Sequence, residues 1–321
     1  MQGLVTVFGG SGFVGSQVVR QLAKAGHRVR VAVRQPNLAY KMRMLGDVGQ
    51  IEVVQANVRN VASVTRALEG AEACVNLVGL LYESGRQKFQ AVHVMGAKTI
   101  AECAKTAGVS RFVQISAIGA DANSEAKYAR TKAEGEEAVR AVYPGAVIVR
   151  PSVVFGPEDN FFNKFGQMAA MSPALPLVGG ETRFQPVFVG DVAAVIAQAA
   201  SSPAAEGVTY ELGGPGVYTM REILQLILTE TGRDRLLLPI PWFAASLLGK
   251  VGDVMAGILP IAPPITSDQV EMLKSDNVAD RGLPGLAEAG VVPTSIEAIV
   301  PSYLYRYRKG GQYAPTPAGA F

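Results

Sequence analysis

The sequence predicts an α/β fold: a doubly wound parallel sheet with a smaller, discontinuous C-terminal cap domain. Three observations carry this. Short β-branched runs alternate with amphipathic helical patterns over roughly the first 150 residues, the rhythm of βαβ units. Gly9, Gly10, Gly12 and Gly15 crowd the turn between the first run and its helix. Beyond the sixth run the rhythm breaks, resumes once near residues 183–213, and then gives way to proline-punctuated helical spacing.

In chain order, Leu4 to Phe8 reads as a strand buried on both faces. The following helix places Val14, Val18, Val19 and Leu22 on one face, and Gly26 stands where a C-cap is wanted. His27 to Val33 is the second strand and Ile51 to Gln55 the third, with a helix from Val61 to Leu68. Ala73 to Val78 is the fourth strand, followed by a loop to about Lys88 and a long helix to Ala107. Arg111 to Ile115, a helix from about Lys127 to Val142, and Ala146 to Arg150 complete the pattern. Right-handed crossovers place the ligand at the carboxyl ends of these strands. The nucleotide-binding domain is expected over residues 1–155, completed by about 183–213. The cap is expected over 156–182 and 214–308, with Pro239, Pro241, Pro260, Pro263 and Pro264 punctuating its later part. Residues 309–321 lack periodicity and read as a flexible or partner-bound tail.

The 321 residues are 49% hydrophobic and 18% charged, enough for a sizeable core. The net charge of +3 is spread out apart from RYRKGG near the end, which argues against nucleic acid as a partner. Cys74 and Cys103 have no ligand spacing, so no metal site is predicted and both read as buried thiols of a reducing compartment. Met1 runs almost directly into the first strand, leaving no room for a leader, and no window reaches the ~18 apolar residues of a membrane span. A cytoplasmic protein is expected, with contact at the inner face of the membrane left open.

The glycine turn points to a dinucleotide. A pyrophosphate reaches a helix N-terminus only where no Cβ stands in the way. Gly9 and Gly12 allow that approach, and Gly15 lets the helix pack closely on the strands. Gly9, Gly10, Ser11, Gly12, Phe13, Val14 and Gly15 are therefore predicted cofactor contacts of a Rossmann domain. About 20 residues on, an acidic residue would accept from a free ribose 2′-OH, but the sequence offers Arg34 instead. An arginine pairs with a 2′-phosphate, which favours NADP(H) over NAD(H), and Arg30, Lys41 and Arg43 can add positive potential. Asn57 and Val58 follow the third strand, where an amide carbonyl can accept from the adenine amino group. Leu77, Val78 and Gly79 close the fourth strand with room for a ribose, and Pro151, at the end of the sixth, is placed at the cofactor as well.

Ser116, Tyr128 and Lys132 carry the chemistry. A tyrosine and a lysine at i and i+4 share a helix face, and the ammonium is expected to lower the phenol from its usual value of ~10. The lysine can also hold the nicotinamide ribose, while the serine hydroxyl orients a substrate carbonyl. His93 reads as a satisfied helix residue rather than a proton relay.

The glycine pattern followed by YARTK resembles the short-chain dehydrogenases/reductases, particularly their extended and atypical branches. RPSVVFGP and RFQPVFVGD resemble the segments by which the extended branch leaves its nucleotide domain and returns to it. Over nearly the whole chain, and most specifically in PEDNFFNKF and SDQVEMLKSDN, the sequence is similar to the nucleotide-binding accessory subunits of respiratory complex I. That resemblance implies tightly held NADPH, contacts with peripheral-arm neighbours near the quinone site, and a structural or sensing role; the missing leader suits a bacterial counterpart. The alternative is an active NADPH-dependent oxidoreductase or epimerase-like enzyme on an apolar carbonyl or quinone-related substrate. A redox-sensing regulator is the third class, disfavoured because such regulators typically lack the YxxxK pair. Leu236 to Ile265 spaces Trp242, Phe243, Leu247, Leu248, Val251, Val254, Met255 and Ile258 at helical intervals. This reads either as packing on the cap core or as a face for a protein or membrane neighbour.

Overall fold

Strand and helix alternate in the structure as the pattern predicts, in a computed structural model that describes residues 2–258 and 263–313. Strands β1 (Gln2–Phe8) and β2 (His27–Val33) are joined by α1 (Phe13–Lys24), and β3 (Ile51–Gln55) leads through α2 (Val61–Leu68) to β4 (Ala73–Asn76). Helix α3 (Met95–Thr106) precedes β5 (Arg111–Ile115), and α4 (Lys127–Val142) precedes β6 (Val147–Pro151). The chain leaves through β7 (Val154–Phe155), α5 (Phe162–Met171), β8 (Ala174–Val178) and β9 (Arg183–Phe184). It returns through β10 (Val187–Phe188) and α6 (Val189–Ser201) to β11 (Thr209–Leu212). Beyond lie β12 (Tyr218–Thr219), α7 (Met220–Thr231), β13 (Leu236–Ile240), α8 (Trp242–Ile258) and α9 (Ser267–Met272).

Among the described residues seven strands pair in the order β11-β6-β5-β4-β1-β2-β3, all in parallel. The chain winds outward from β1 to β3 and then restarts at β4 on the other side. The strand order therefore reverses between β1 and β4, and a crevice opens there at the carboxyl ends. Alternate side chains feed two cores. Val5, Val7, Val75 and Val113 face α1 and α6, while Phe8, Cys74 and Phe112 face α2 and α3. Thr6, buried in the same strand, donates its hydroxyl to the Ala67 carbonyl at 2.8 Å. A third core, with Phe155, Phe162, Leu175, Ile223 and Tyr303, belongs to the cap.

Several boundaries depart from the sequence reading: β1 begins at Gln2 rather than Leu4, and β6 runs Val147–Pro151 rather than Ala146–Arg150. β4 stops at Asn76 rather than Val78, because the Asn76 side chain accepts from Val78 N and donates to Gln114, which turns the chain out of the sheet. The long helix ending near Ala107 opens with a π turn, Gln90–Val94, before α3 begins. There α4 presses in so closely that a Cβ at Gly135 would overlap the His93 carbonyl oxygen. Finally, residues 277–291 read from the sequence as cap but lie along the sheet edge. Glu211 donates its N–H to the Pro284 carbonyl and accepts from Asp280 N, and Leu286 joins the α1/α6 core. Of the apolar stretch Leu236 to Ile265, residues 259–262 lie outside the described residues, as do 314–321 of the tail. No helix among the described residues is long and apolar enough to cross a membrane.

Asp159, in the PEDNFFNKF stretch, ties the two ends of the cap together. Its buried carboxylate accepts from the backbone N–H groups of Gly156, Phe161 and Asn163, and from the Tyr303 hydroxyl at 2.7 Å. Burial and that carboxylate push the Tyr303 phenol upward, so it stays a donor. Replacing Asp159 by Ala strands several buried donors and should lower the unfolding free energy by roughly 3 kcal/mol, against about 1 kcal/mol for Tyr303→Phe. Urea unfolding followed by circular dichroism measures both.

Candidate dinucleotide and Ser–Tyr–Lys site

The site begins where β1 runs out. Gly9 takes φ +76°, a conformation glycine adopts without strain, and its N–H reaches back to the Ala32 carbonyl. Helix α1 then starts with Gly12 at its N-cap, with no side-chain cap and no acidic residue in its first turn. Its leading N–H groups and its positive dipole end are left for a ligand. Close packing makes the turn tight: a Cβ at Gly15 would overlap the Gly9 carbonyl oxygen and crowd Gly10.

A groove of about 280 Å³ crosses these carboxyl ends. Of the predicted contacts, Gly9, Ser11, Gly12, Arg34, Asn57, Val58, Leu77, Val78 and Gly79 line it. Gly10, Phe13, Val14 and Gly15 support it from behind: Gly10 fits among Val7, Val19 and Val31, Val14 packs on the core, and the Phe13 ring lies against Gly156. Pro151 stands further along, pairing with Leu212 and accepting from Ile118 N. Arg34 is exposed at the end of β2 and forms no ion pair among the described residues. Arg30, in contrast, is spent elsewhere, on Glu52 and on the Ala67 and Glu69 carbonyls, so it adds nothing at the groove. Arg43 lies over the Tyr40 ring. The Asn57 side-chain carbonyl accepts from Arg59 N, which makes it first a loop holder.

Arg59, Leu80, Gln87 and Val92 also line the groove and were missed in the sequence. Arg59 had a signal, two residues past Asn57 on the same turn; its guanidinium donates to the Arg86 carbonyl. Gln87 and Val92 are brought in by the loop and π turn after β4, which no local pattern announces.

At the inner end of the groove, Gly79 faces the lysine. A Cβ there would lie 3.6 Å from Lys132 Nζ and 3.8 Å from His93 Nε2. Lys132 Nζ donates to the Ile115 carbonyl at 3.4 Å, one residue before Ser116, and stands 5.8 Å from the centre of the Tyr128 ring. Helix α4 is anchored below this point by a buried network: Arg150 grips Glu136 through two nitrogens at 2.8 and 2.7 Å and reaches Glu211 at 3.2 Å. The Ser116 hydroxyl is buried and has no hydrogen-bond partner among the described residues. A buried hydroxyl without a partner is costly and points to a ligand group as its complement.

The electrostatics correct one expectation. Burial pulls the Lys132 ammonium down to about 8. The Tyr128 phenol is not lowered but pushed up to about 12, by burial first and by the Asp268 carboxylate second. Desolvation outweighs an ammonium that stands off the ring and is itself weakened. His93 is held neutral, down to about 3, chiefly by burial and then by Lys132. Its Nε2 accepts from Leu80 N at 3.0 Å, which leaves Nδ1 to donate to Thr131 at 3.1 Å. It is a satisfied latch between the loop after β4 and helix α4.

The uncapped helix end, the glycine cradle and the orphaned hydroxyl together fit an NAD(P) cofactor. Comparisons with known proteins agree. The NAD dependent epimerase/dehydratase family matches residues 5–213. Subunit 9 of the mitochondrial NADH dehydrogenase [ubiquinone] 1 alpha subcomplex of Mus musculus is 36% identical over 308 residues, 95% of this chain and 80% of that protein. A ceramide reductase of Caulobacter vibrioides is 36% identical over 202 residues, 63% of this chain and 62% of that one. An NADPH-dependent quinone oxidoreductase of Escherichia coli, solved with NADPH, superimposes with a TM-score of 0.73 at 21% identity, covering 94% of this chain and 99% of that one, a likeness of fold. The chain belongs to the NAD dependent epimerase/dehydratase family, an NAD(P)-binding family, and counts subunits of respiratory complex I among its homologues.

Proposed function

We propose that this protein binds NADP(H) and serves as an accessory subunit of respiratory complex I, NADH:ubiquinone oxidoreductase. It holds the nucleotide as a structural or sensing cofactor beside peripheral-arm subunits near the quinone site, at the inner face of the cytoplasmic membrane. The observation that carries this is helix α8, which is built inside out. Its buried residues are Ala245, Gly249, Gly252 and Ala256, while Phe243 (80% exposed), Leu247, Leu248, Val251, Val254 and Ile258 (75%) face outward. Leu236 and Leu238 of β13 add to the exposed apolar surface of this region. An apolar surface of this kind suits a lasting partner. The high phenol of Tyr128 points the same way, since a group titrating that far from neutrality is a poor proton donor or acceptor.

In this reading the first-turn N–H groups of α1 bind the pyrophosphate, Arg34 pairs with the 2′-phosphate, and Asn57 and Val58 border the adenine. Leu77, Val78 and Gly79 border the ribose, Lys132 holds the nicotinamide ribose, and Pro151 borders the ring. The cofactor supplies a hydride when it reacts. A second reading, an NADPH-dependent reductase of an apolar carbonyl or quinone-related compound, is favoured by one observation: the buried Ser116 hydroxyl has no hydrogen-bond partner among the described residues and suits a carbonyl oxygen. There Ser116 orients the carbonyl, Tyr128 gives the proton and Lys132 supports Tyr128. The names of the ceramide reductase and the quinone oxidoreductase lend this reading support.

Equilibrium titration by nucleotide fluorescence should show NADPH preferred over NADH, and Arg34→Ala should weaken NADPH by about ten- to a hundredfold while leaving NADH nearly unchanged. Gentle membrane extraction should recover the protein with NADH:ubiquinone oxidoreductase, and a Phe243→Ser, Leu247→Ser variant should fall off that complex while still binding NADPH. Recovery only as a free protein that oxidises NADPH with small carbonyls or quinones, and loses that activity in Tyr128→Phe, would establish the reductase instead.

A further inference from the structure

Helix α4, which carries Tyr128 and Lys132, begins without a cap of its own. Ala126 stands at its N-cap with no side chain to offer, and its first turn holds no acidic residue. Two of its leading N–H groups find their acceptor 140 residues further along the chain. Asp268 takes Lys127 N on one carboxylate oxygen at 2.5 Å and Tyr128 N on the other at 3.0 Å.

Asp268 is itself held firmly. It lies in the first turn of α9, behind a reciprocal capping box between Thr266 and Gln269. This strap is pressed against α8, where a Cβ at Gly252 would overlap the Ile265 carbonyl oxygen and one at Gly249 would come within 2.8 Å of Ser267. Further on, Asn277 accepts from Ser152 Oγ and Val153 N just beyond β6. The SDQVEMLKSDN stretch is thus tied both to the start of α4 and to the chain just beyond β6.

We propose that Asp268 is a positioning residue for Tyr128: it docks the C-terminal strap onto the start of α4, fixes where the phenol stands and brings a negative charge to that end of the helix. The inference rests on reading Tyr128 as part of the site. Burial raises the Asp268 carboxyl from its usual value, while its two backbone N–H donors and the helix dipole favour its charged form. The same negative charge opposes a second one on the phenol. The other groups around Tyr128 are Lys132 on its own helix, neutral His93 with its ring 5.5 Å away, and apolar Phe89 at 5.9 Å. Lys127 and Asp253 act on Asp268 itself, and Lys164 is tied to Pro264 at the start of the strap. Among the described residues, only Asp268 both touches the backbone of Tyr128 and brings a negative charge to it.

The test follows Tyr128 in the full chain. Protein labelled with ¹³C at tyrosine Cζ, with the resonance assigned from Tyr128→Phe, is titrated upward from neutral pH for as long as circular dichroism reports an intact fold. The wild-type resonance should hold its phenol position past the ordinary tyrosine midpoint of ~10. Asp268→Asn, which keeps an oxygen acceptor but removes the charge, should begin to ionise at lower pH. Asp268→Ala should do the same and also lose amide-exchange protection at Lys127 and Tyr128, and Asp268→Glu should move the titration back toward wild type. If Asp268→Asn and Asp268→Ala only melt earlier while Tyr128 titrates as in wild type, Asp268 is merely strap packing and the proposal fails. Should Asp268→Ala not fold, Asp268→Asn decides alone. NADPH affinity is read in parallel: its absence in wild type would sink the cofactor reading without touching the result for Asp268.

Discussion

The backbone contact between Gly15 and the Gly9 carbonyl is the constraint on which the site depends. It lets α1 start almost on top of the end of β1, so that the helix N-terminus opens at the point where the strand order reverses. A methyl group there would push the helix off the strand and carry its unpaired N–H groups away from the groove. The absence of a side-chain cap belongs to the same design. An acid or a serine at Gly12 would satisfy the helix end internally and leave a phosphate nothing to bind.

A second close approach does for the chemical groups what the first does for the nucleotide. Gly135 lets α4 sink against the π turn, whose extra residue per turn leaves the His93 carbonyl next to the helix. His93 then reaches across to Leu80 and Thr131, and the Arg150–Glu136–Glu211 network pins the lower part of α4 to β6 and β11. Both devices are polar and buried, and each is fully partnered, as such groups must be. Lys132 is therefore flanked on its own helix by partnered polar contacts at Thr131 and Glu136.

Much of this was legible in the sequence, and the reason is local. Spans such as Ile51 to Gln55, Val61 to Leu68, Arg111 to Ile115 and Lys127 to Val142 are set by hydrophobic period and by nearby glycines, which a linear reading sees. The groove contacts from Gly9 to Gly79 follow from strand ends, which the same reading locates. What it missed depends on distance. Asp268 lies far along the chain from the helix it caps, and residues 277–291 run back along the sheet edge although their spacing resembles the rest of the cap. Helix α8 left the periodic reading with two alternatives, a core face or an outward one, for another reason. Its inner face is small, so the large apolar residues that usually mark a core face here mark the outside.

The most instructive mismatch is at Tyr128. Spacing alone brings a lysine to a tyrosine and promises an activated phenol, yet the structure pushes that phenol to about 12. Near neutral pH the phenolate is then disfavoured by roughly 3 kcal/mol more than in an unperturbed tyrosine. The cause is not a missing residue but surroundings that the spacing does not encode. The ring is enclosed by Phe89 and His93, the ammonium of Lys132 is drawn to the Ile115 carbonyl, and a carboxylate arrives from the strap. A site can keep all three groups of a catalytic trio and still be tuned for holding rather than reacting. Here the phenol is set first by burial and then by the carboxylate of the strap, which is pressed against α8, whose apolar side faces outward. Asp268 thus links the start of α4 to the strap that packs on α8.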